Sequence, residues 1–180
     1  MFDDPLSAIV VDASIAIAIA RREPAATAAR SLLRVRAGGR LLVPDHFWIE
    51  LTNVLVRRYS ATAEETVEAL RELDEVGFES VRIDRPLLLA GIDLQQRHGL
   101  SAYDAIYLAL AEAEDAQLLT LDARLANAAG DRAVWLEGMR PPGLAEERAV
   151  YGGDPIDWAR FGPYLARLRA DARDKVRDGI

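Results

Sequence analysis

Asp104 sits inside LSAYDAIYLA, residues 100–109, where nearly every neighbour is apolar or amphipathic. An ionised carboxylate buried without a partner is expensive. Ser101-Ala-Tyr-Asp104 fits a capping box, which accounts for an Asp at the third helical position but not for its apolar company. Two more aspartates close apolar runs, Asp12 after AIVV and Asp122 after LLTL. Each run reads as a strand, so each Asp stands just beyond a strand's carboxyl end. Taken alone, either could simply cap the helix that follows. Thr120 lies two residues before Asp122, on the same face of its strand. Glu50 lies three residues after Phe47 and four before Val54, so it flanks an apolar helical stripe instead of opposing it. Alone, it reads as a peripheral charge paired with Arg57 or Asn53.

Together the four carboxylates say more. Clustered carboxylates repel and raise one another's pKa, and a hard divalent cation relieves them. The chain has no cysteine and only two histidines, His46 and His98, which excludes disulfides and argues against a zinc site of thiolate and imidazole. An oxygen-held ion points to Mg²⁺ or Mn²⁺. Such an ion polarises a phosphoryl oxygen and acidifies bound water, which is the chemistry of phosphodiester hydrolysis.

The elements that must position these residues alternate along the chain. Strands are expected at 8–11, 41–43, 79–83, 117–121 and 133–135. Helices are expected at 14–20, 25–37, 45–58 capped by Asp45, 62–76, 86–98 and from Ser101 onward. The helix at 62–76 would turn Val67, Leu70, Leu73 and Val76 inward. Strands alternating with helices predict an α/β fold, with a short parallel sheet covered by helices on both faces.

The chain has 180 residues, about half of them apolar, enough for one domain with its own core. No apolar run approaches the roughly 20 residues that cross a bilayer. The start, MFDDPLSAIVVD, lacks the basic opening of a signal peptide, so a cytoplasmic protein without a membrane partner is expected. The net charge of −7 offers no general basic coat for nucleic acid. Residues 1–139 hold 14 arginines against 22 carboxylates, whereas residues 140–180 hold 8 basic and 7 acidic groups. Arg140-Pro-Pro-Gly143 reads as a linker, which divides an acidic body, 1–139, from a helical C-terminal extension, 140–180. The final helix there would carry Leu168, Ala172 and Val176 on one face, preceded by Trp158 and Phe161.

VVDAS at 10–14, PDHFWIELTNVL at 44–55 and LSAYDAIYLALAEAEDAQLLTLDARL at 100–125 closely resemble the PIN-domain ribonucleases, specifically the VapC-type toxins of prokaryotic toxin–antitoxin pairs. The resemblance runs from about Ile9 to Leu136 and rests on three motifs in the right order. It implies a three-layer α/β/α PIN-like fold and single-stranded RNA cleavage with Mg²⁺ or Mn²⁺. It also implies a homodimer held inactive by an antitoxin. By it, Asp12 is the first-strand metal ligand and Ser14 the hydroxyl two residues on. Glu50 matches the helix glutamate, Asp104 the aspartate of the "YDA" helix, and Asp122 the aspartate ending "TLD". Asp12 and Asp104 are the first choices for direct ligands, Glu50 for ligand or base, and Asp122 for a second metal or for action through water. Ser14 and Thr120 would orient ligands, and Arg57 and Arg124 would meet RNA phosphates. The extension has no counterpart in a compact member. It packs on its own body or across a dimer, or else takes an antitoxin's place with Trp158, Phe161, Arg167 and Arg169.

Other classes remain to be weighed. A housekeeping PIN-type RNA-processing nuclease would carry the same site. A phosphoacceptor receiver domain or a haloacid-dehalogenase-type phosphatase also puts aspartates at strand ends. Both need a lysine near the phosphoryl group, and the single lysine, Lys175, lies in the extension. A non-catalytic, metal-stabilised binding module would have no need of all four carboxylates.

Overall fold

The computed structural model describes residues 8–134 and 136. The apolar run ahead of Asp12 forms β1 (Ile9–Val11), buried throughout. It lies in the middle of a five-stranded sheet with β2 (Leu41–Pro44), β3 (Glu79–Val81), β4 (Gln117–Leu119) and β5 (Ala133–Val134). The strand order is β3-β2-β1-β4-β5 and every pairing is parallel. Helices on both faces explain why β1, β2 and β4 read as almost continuous apolar runs and not as alternating ones. The α/β/α layering expected from the sequence is the fold observed.

Among the described residues seven helices connect the strands: α1 (Ala13–Ala20), α2 (Ala26–Arg36), α3 (His46–Tyr59), α4 (Ala63–Asp74), α5 (Arg85–His98), α6 (Ala102–Ala113) and α7 (Ala123–Ala129). A 3₁₀ turn at Gly130–Arg132 leads into β5. α6 is the most deeply buried, with seven consecutive buried residues from Ala105 to Ala111. It packs closely on α5, where Gly91 makes room: a Cβ there would stand 2.7 Å from Ile106 Cδ1. Gly99, at φ 63°, ends α5 in the left-handed region that glycine adopts without penalty, and Ser101 then starts α6.

The sheet register sets the site. Val10 faces Leu42 and Val11 faces Leu119, while Pro44 faces Val81. Asp12 therefore comes level with Pro44 on one side and Thr120 on the other. Its N–H donates to the Leu119 carbonyl at 3.0 Å.

Several local expectations change. Asp45 stands at the N-cap position of α3 but is itself helical, at φ −51° and ψ −31°, and its side chain makes no capping bond. β2 includes Pro44 as its last residue. β3 and β4 are shorter than expected, ending at Val81 and Leu119. On α4, Val67 is 48% exposed and Thr66 is buried in its stead. Donating its hydroxyl to the Thr62 carbonyl at 2.8 Å lets Thr66 go inside. Trp135 and the whole 140–180 extension, with its linker, Trp158, Phe161, Arg167 and Arg169, lie outside the described residues.

Candidate active site

Asp12 follows β1 and is 4% exposed. Two hydroxyls are aimed at its Oδ2. Thr120 Oγ1 donates at 2.7 Å, and Ser14 Oγ donates as well. Each hydroxyl is oriented by a backbone N–H that occupies its own acceptor: Asp122 N–H donates to Thr120 Oγ1 at 2.9 Å and Leu121 N–H to Ser14 Oγ at 3.0 Å. With one lone pair of each engaged by an N–H, both hydroxyls turn their protons to Asp12. Burial nevertheless pushes Asp12 up to about 6, against the pull of these bonds and assisted by the charge of Asp104.

Glu50 stands one turn into α3. Tyr107 on α6 donates its hydroxyl to Glu50 Oε2 at 2.9 Å. His46, four residues earlier on α3, holds Nε2 at 3.7 Å from the same oxygen, too far for a hydrogen bond. Neither Arg57 nor Asn53 is its partner, which replaces the pairing weighed from the sequence. Burial first, and then the charges of Asp12 and Asp104, push Glu50 up to about 7, although the Tyr107 hydroxyl opposes this. Tyr107 itself is pushed well up by burial and by Asp12 and Glu50, so it remains a neutral donor. Burial also lowers His46, which favours its neutral form.

Asp104, at the third position of α6, receives the Ser101 hydroxyl on Oδ2 at 2.8 Å, and its own N–H donates to Ser101 Oγ at 3.1 Å. Half of the capping box expected from the sequence is present: the Ser101 hydroxyl accepts from the Asp104 N–H, while Asp104 Oδ2 takes that hydroxyl and not the Ser101 N–H. The cap does not exhaust the residue, because burial and the charge of Asp122 hold Asp104 above the ordinary range, with Arg124 opposing. Asp122 is exposed and caps α7, its Oδ1 accepting from the N–H groups of Arg124 at 2.7 Å and Leu125 at 3.0 Å.

A shared pattern emerges. Every hydrogen bond to Asp12, Glu50, Asp104 and Asp122 falls on one oxygen of the pair, Oδ2, Oε2, Oδ2 and Oδ1 respectively. Among the described residues each carboxylate keeps its second oxygen uncommitted. Beyond burial, the charges of Asp12 and Asp104 raise the pKa of Glu50, that of Asp104 raises Asp12, and that of Asp122 raises Asp104. Their spacing is loose: among the described residues no three acidic or histidine side chains converge on one point. The donor set fits a hard divalent cation of the Mg²⁺ kind, which takes one or two carboxylates and keeps several waters.

Of the two arginines suggested from the sequence, Arg124 is within electrostatic reach of Asp104 and donates to the Gly99 carbonyl at 3.1 Å. Arg57 is exposed, two turns along α3 from Glu50, or about 10 Å. Sequence reasoning missed Tyr107 and His46. The signal was available, since Tyr107 follows Asp104 by three and His46 precedes Glu50 by four, spacings that share a helix face.

Thr120 provides a test of the hydroxyl frame. Thr120→Val keeps the shape but removes both the donor to Asp12 and the acceptor for Asp122 N–H. Stability should fall by about 1–3 kcal/mol, the cost of unsatisfied buried groups. Thr120→Ser should retain most of it. Urea midpoints measure both, and an unchanged Thr120→Val midpoint would show that the frame contributes nothing.

Comparison with known proteins agrees with this geometry. No curated protein sequence matches the chain significantly. Among solved structures, a toxin–antitoxin complex from Klebsiella pneumoniae is similar at a TM-score of 0.55 and 20% identity, covering 71% of this chain and 96% of that one. VapC20 of Mycobacterium tuberculosis, a sarcin–ricin loop cleaving toxin, gives 0.54 and 19%, covering 67% and 94%. VapBC2 of Rickettsia felis, bound to a DNA fragment from its promoter, gives 0.56 and 15%, covering 71% and 96%. At such identities the likeness concerns the fold. The PIN domain family matches residues 9–131, a stretch that opens on β1 and contains all four carboxylates. With the parallel sheet and the carboxylates at its carboxyl edge, that match places the chain in the PIN-domain family.

Proposed function

We propose that this protein is a metal-dependent endoribonuclease that hydrolyses phosphodiester bonds of single-stranded RNA, and that it acts in the cytoplasm as the toxin of a toxin–antitoxin pair. The observation that carries the reading is the set of four carboxylates at the carboxyl edge of the sheet, each with one oxygen held and one uncommitted among the described residues. Membership of the PIN family supports a nuclease, and the toxin–antitoxin complexes among the structural neighbours support an antitoxin partner. In this reading Asp12 and Asp104 bind Mg²⁺ or Mn²⁺ directly, Glu50 serves as ligand or base, and Asp122 acts at a second ion or through water.

The bound ion supplies Lewis acidity to the phosphoryl group and an acidified water. The chain's own groups arrange the rest. Ser14 and Thr120 fix the rotation of Asp12. Tyr107 fixes Glu50 and leaves its second oxygen to accept a proton, at a pKa close to neutral. Arg124, within electrostatic reach of Asp104, would meet a phosphate. We assign the catalytic body to residues 1–139, acting as a homodimer.

The test is cleavage of single-stranded RNA by protein freed of inhibitor. Mg²⁺ or Mn²⁺ should be required, and EDTA should stop the reaction. Expression in a bacterium should arrest growth, relieved by Asp12→Ala or by a co-purifying small antitoxin. Cleavage that persists in EDTA would remove the metal mechanism, and equal toxicity of Asp12→Ala would remove the toxin assignment.

A further inference from the structure

Tyr103 is 61% exposed, on the helix that carries Asp104. Singly exposed apolar side chains are ordinary, so its placement matters more than its exposure. Its ring packs on His46, centroids 5.5 Å apart and planes tilted by 46°. His46 in turn stands edge-on to Tyr107 at 4.9 Å, and Tyr107 holds Glu50. The imidazole side chain is only 11% exposed, so Tyr103 is seated on a fixed base. One ring is thus anchored to the carboxylate cluster from within and open to solvent from without.

A second observation lies further along the same edge of the sheet. Pro44 of β2 is level with Asp12 beyond β1 and with Val81 of β3. Asp45 N–H donates to the Val81 carbonyl at 3.0 Å, which ties the start of α3 to the end of β3. His46 follows at once, and Arg82 follows Val81. Arg82 and Arg85 line a surface cleft of about 590 Å³. Both are exposed, and neither has a hydrogen bond or ion pair among the described residues. Two strand spacings, about 10 Å, separate the end of β1 from that of β3. The edge therefore presents carboxylates, then an aromatic pair, then two free guanidinium groups.

Unpaired RNA offers what this order recognises. Its bases stack on exposed aromatic rings, and its phosphates seek Arg. We propose that Tyr103, seated on His46, stacks a base beside the bond to be cut, and that Arg82 and Arg85 receive a neighbouring phosphate. This rests on the nuclease reading above, and it makes the substrate a single strand laid across the carboxyl edge of the sheet.

The experiment uses the full chain with Mg²⁺ and a short single-stranded oligoribonucleotide. Tyr103→Ala should raise KM about tenfold, in line with the loss of one base–aromatic stack, and leave kcat nearly unchanged. Tyr103→Phe should keep the wild-type KM. A series with one abasic position moved along the strand should contain one oligonucleotide that costs the wild type a similar factor and costs Tyr103→Ala nothing more. Arg82→Ala with Arg85→Ala should raise KM and flatten its increase with salt. Melting temperatures verify that each variant is folded. If the wild type cuts RNA and Tyr103→Ala has an unchanged KM, this proposal falls and the nuclease reading stands. The proposal also falls if Tyr103→Ala loses self-association and keeps its RNA affinity, for then the ring faces a protein. A wild type that neither binds nor cuts single-stranded RNA overturns both.

Discussion

Asp12→Asn should melt at a higher temperature than the wild type in EDTA at pH 8, and should cleave RNA at least about a hundredfold more slowly, the loss expected when a main electrostatic contributor is removed. The two effects share a cause. Asp12 is buried, and its folded pKa is about 6 against an ordinary 3.8. At pH 8 it is ionised in both states, and the folded state carries a penalty of up to about 3 kcal/mol, at roughly 1.4 kcal/mol per pH unit of displacement. Asparagine removes the charge. Its amide oxygen still accepts from Ser14 and Thr120, so the hydroxyl frame survives. A gain of 1 kcal/mol corresponds to about 2–4 °C in a protein of this size. Asp104→Asn should show the same sign at smaller size, because Asp104 is less buried and its carboxylate accepts the hydroxyl of Ser101, the N-cap of α6. Scanning calorimetry beside a cleavage assay measures both. An Asp12→Asn protein that melts lower in EDTA would make the charge a net stabiliser, and one that still cuts RNA would remove Asp12 from the site.

What the sequence made legible follows from where each signal resides. β1 and β4 are buried on both faces, so continuous apolar runs marked them, and the aspartates that follow inherited a position at the carboxyl edge. α5 was bounded by Pro86 and Gly99, and both ends hold in the structure. Contacts between elements distant in sequence were less visible. Glu50 is held by Tyr107, 57 residues away, and no helix-local partner could reveal that. Asp45 looked like a cap because caps are often aspartates, but its backbone has already entered the helix and its side chain has no N–H to accept. On α4 and just after it the stripe read from the sequence holds at Leu70, Leu73 and Val76, but at its start Thr66 goes inside in place of Val67. One residue is about 100° of helix, enough to move Val67 to the solvent side. A hydroxyl that bonds its own helix passes for apolar, and hydropathy patterning alone misses this.

The second large effect is a fall in stability with rising pH that a divalent cation reverses. Asp12 and Glu50 titrate near 6 and 7 in the folded chain, and Asp104 is raised as well. Unfolded, these groups lose their protons near the ordinary values of 3.8 and 4.5. Between about pH 4 and 7 the folded state therefore binds more protons than the unfolded one, and stability must decrease as pH rises through that window. His46 acts the other way below its ordinary 6.5, because its lowered pKa makes the unfolded chain the better proton binder there. One histidine opposes three carboxylates, so the net slope in EDTA should be downward from pH 5.5 to pH 8. Mg²⁺ needs the ionised carboxylates. At pH 8 a concentration a hundredfold above its dissociation constant should restore about 3 kcal/mol. At pH 5.5 the same concentration should do much less, because the ion must first displace protons from Asp12 and Glu50. Four melting curves, at the two pH values with EDTA or with Mg²⁺, decide the matter. A melting temperature in EDTA that rises from pH 5.5 to pH 8 would mean that burial does not raise these carboxylates as the structure requires. An equal response to Mg²⁺ at both pH values would place the ion away from them.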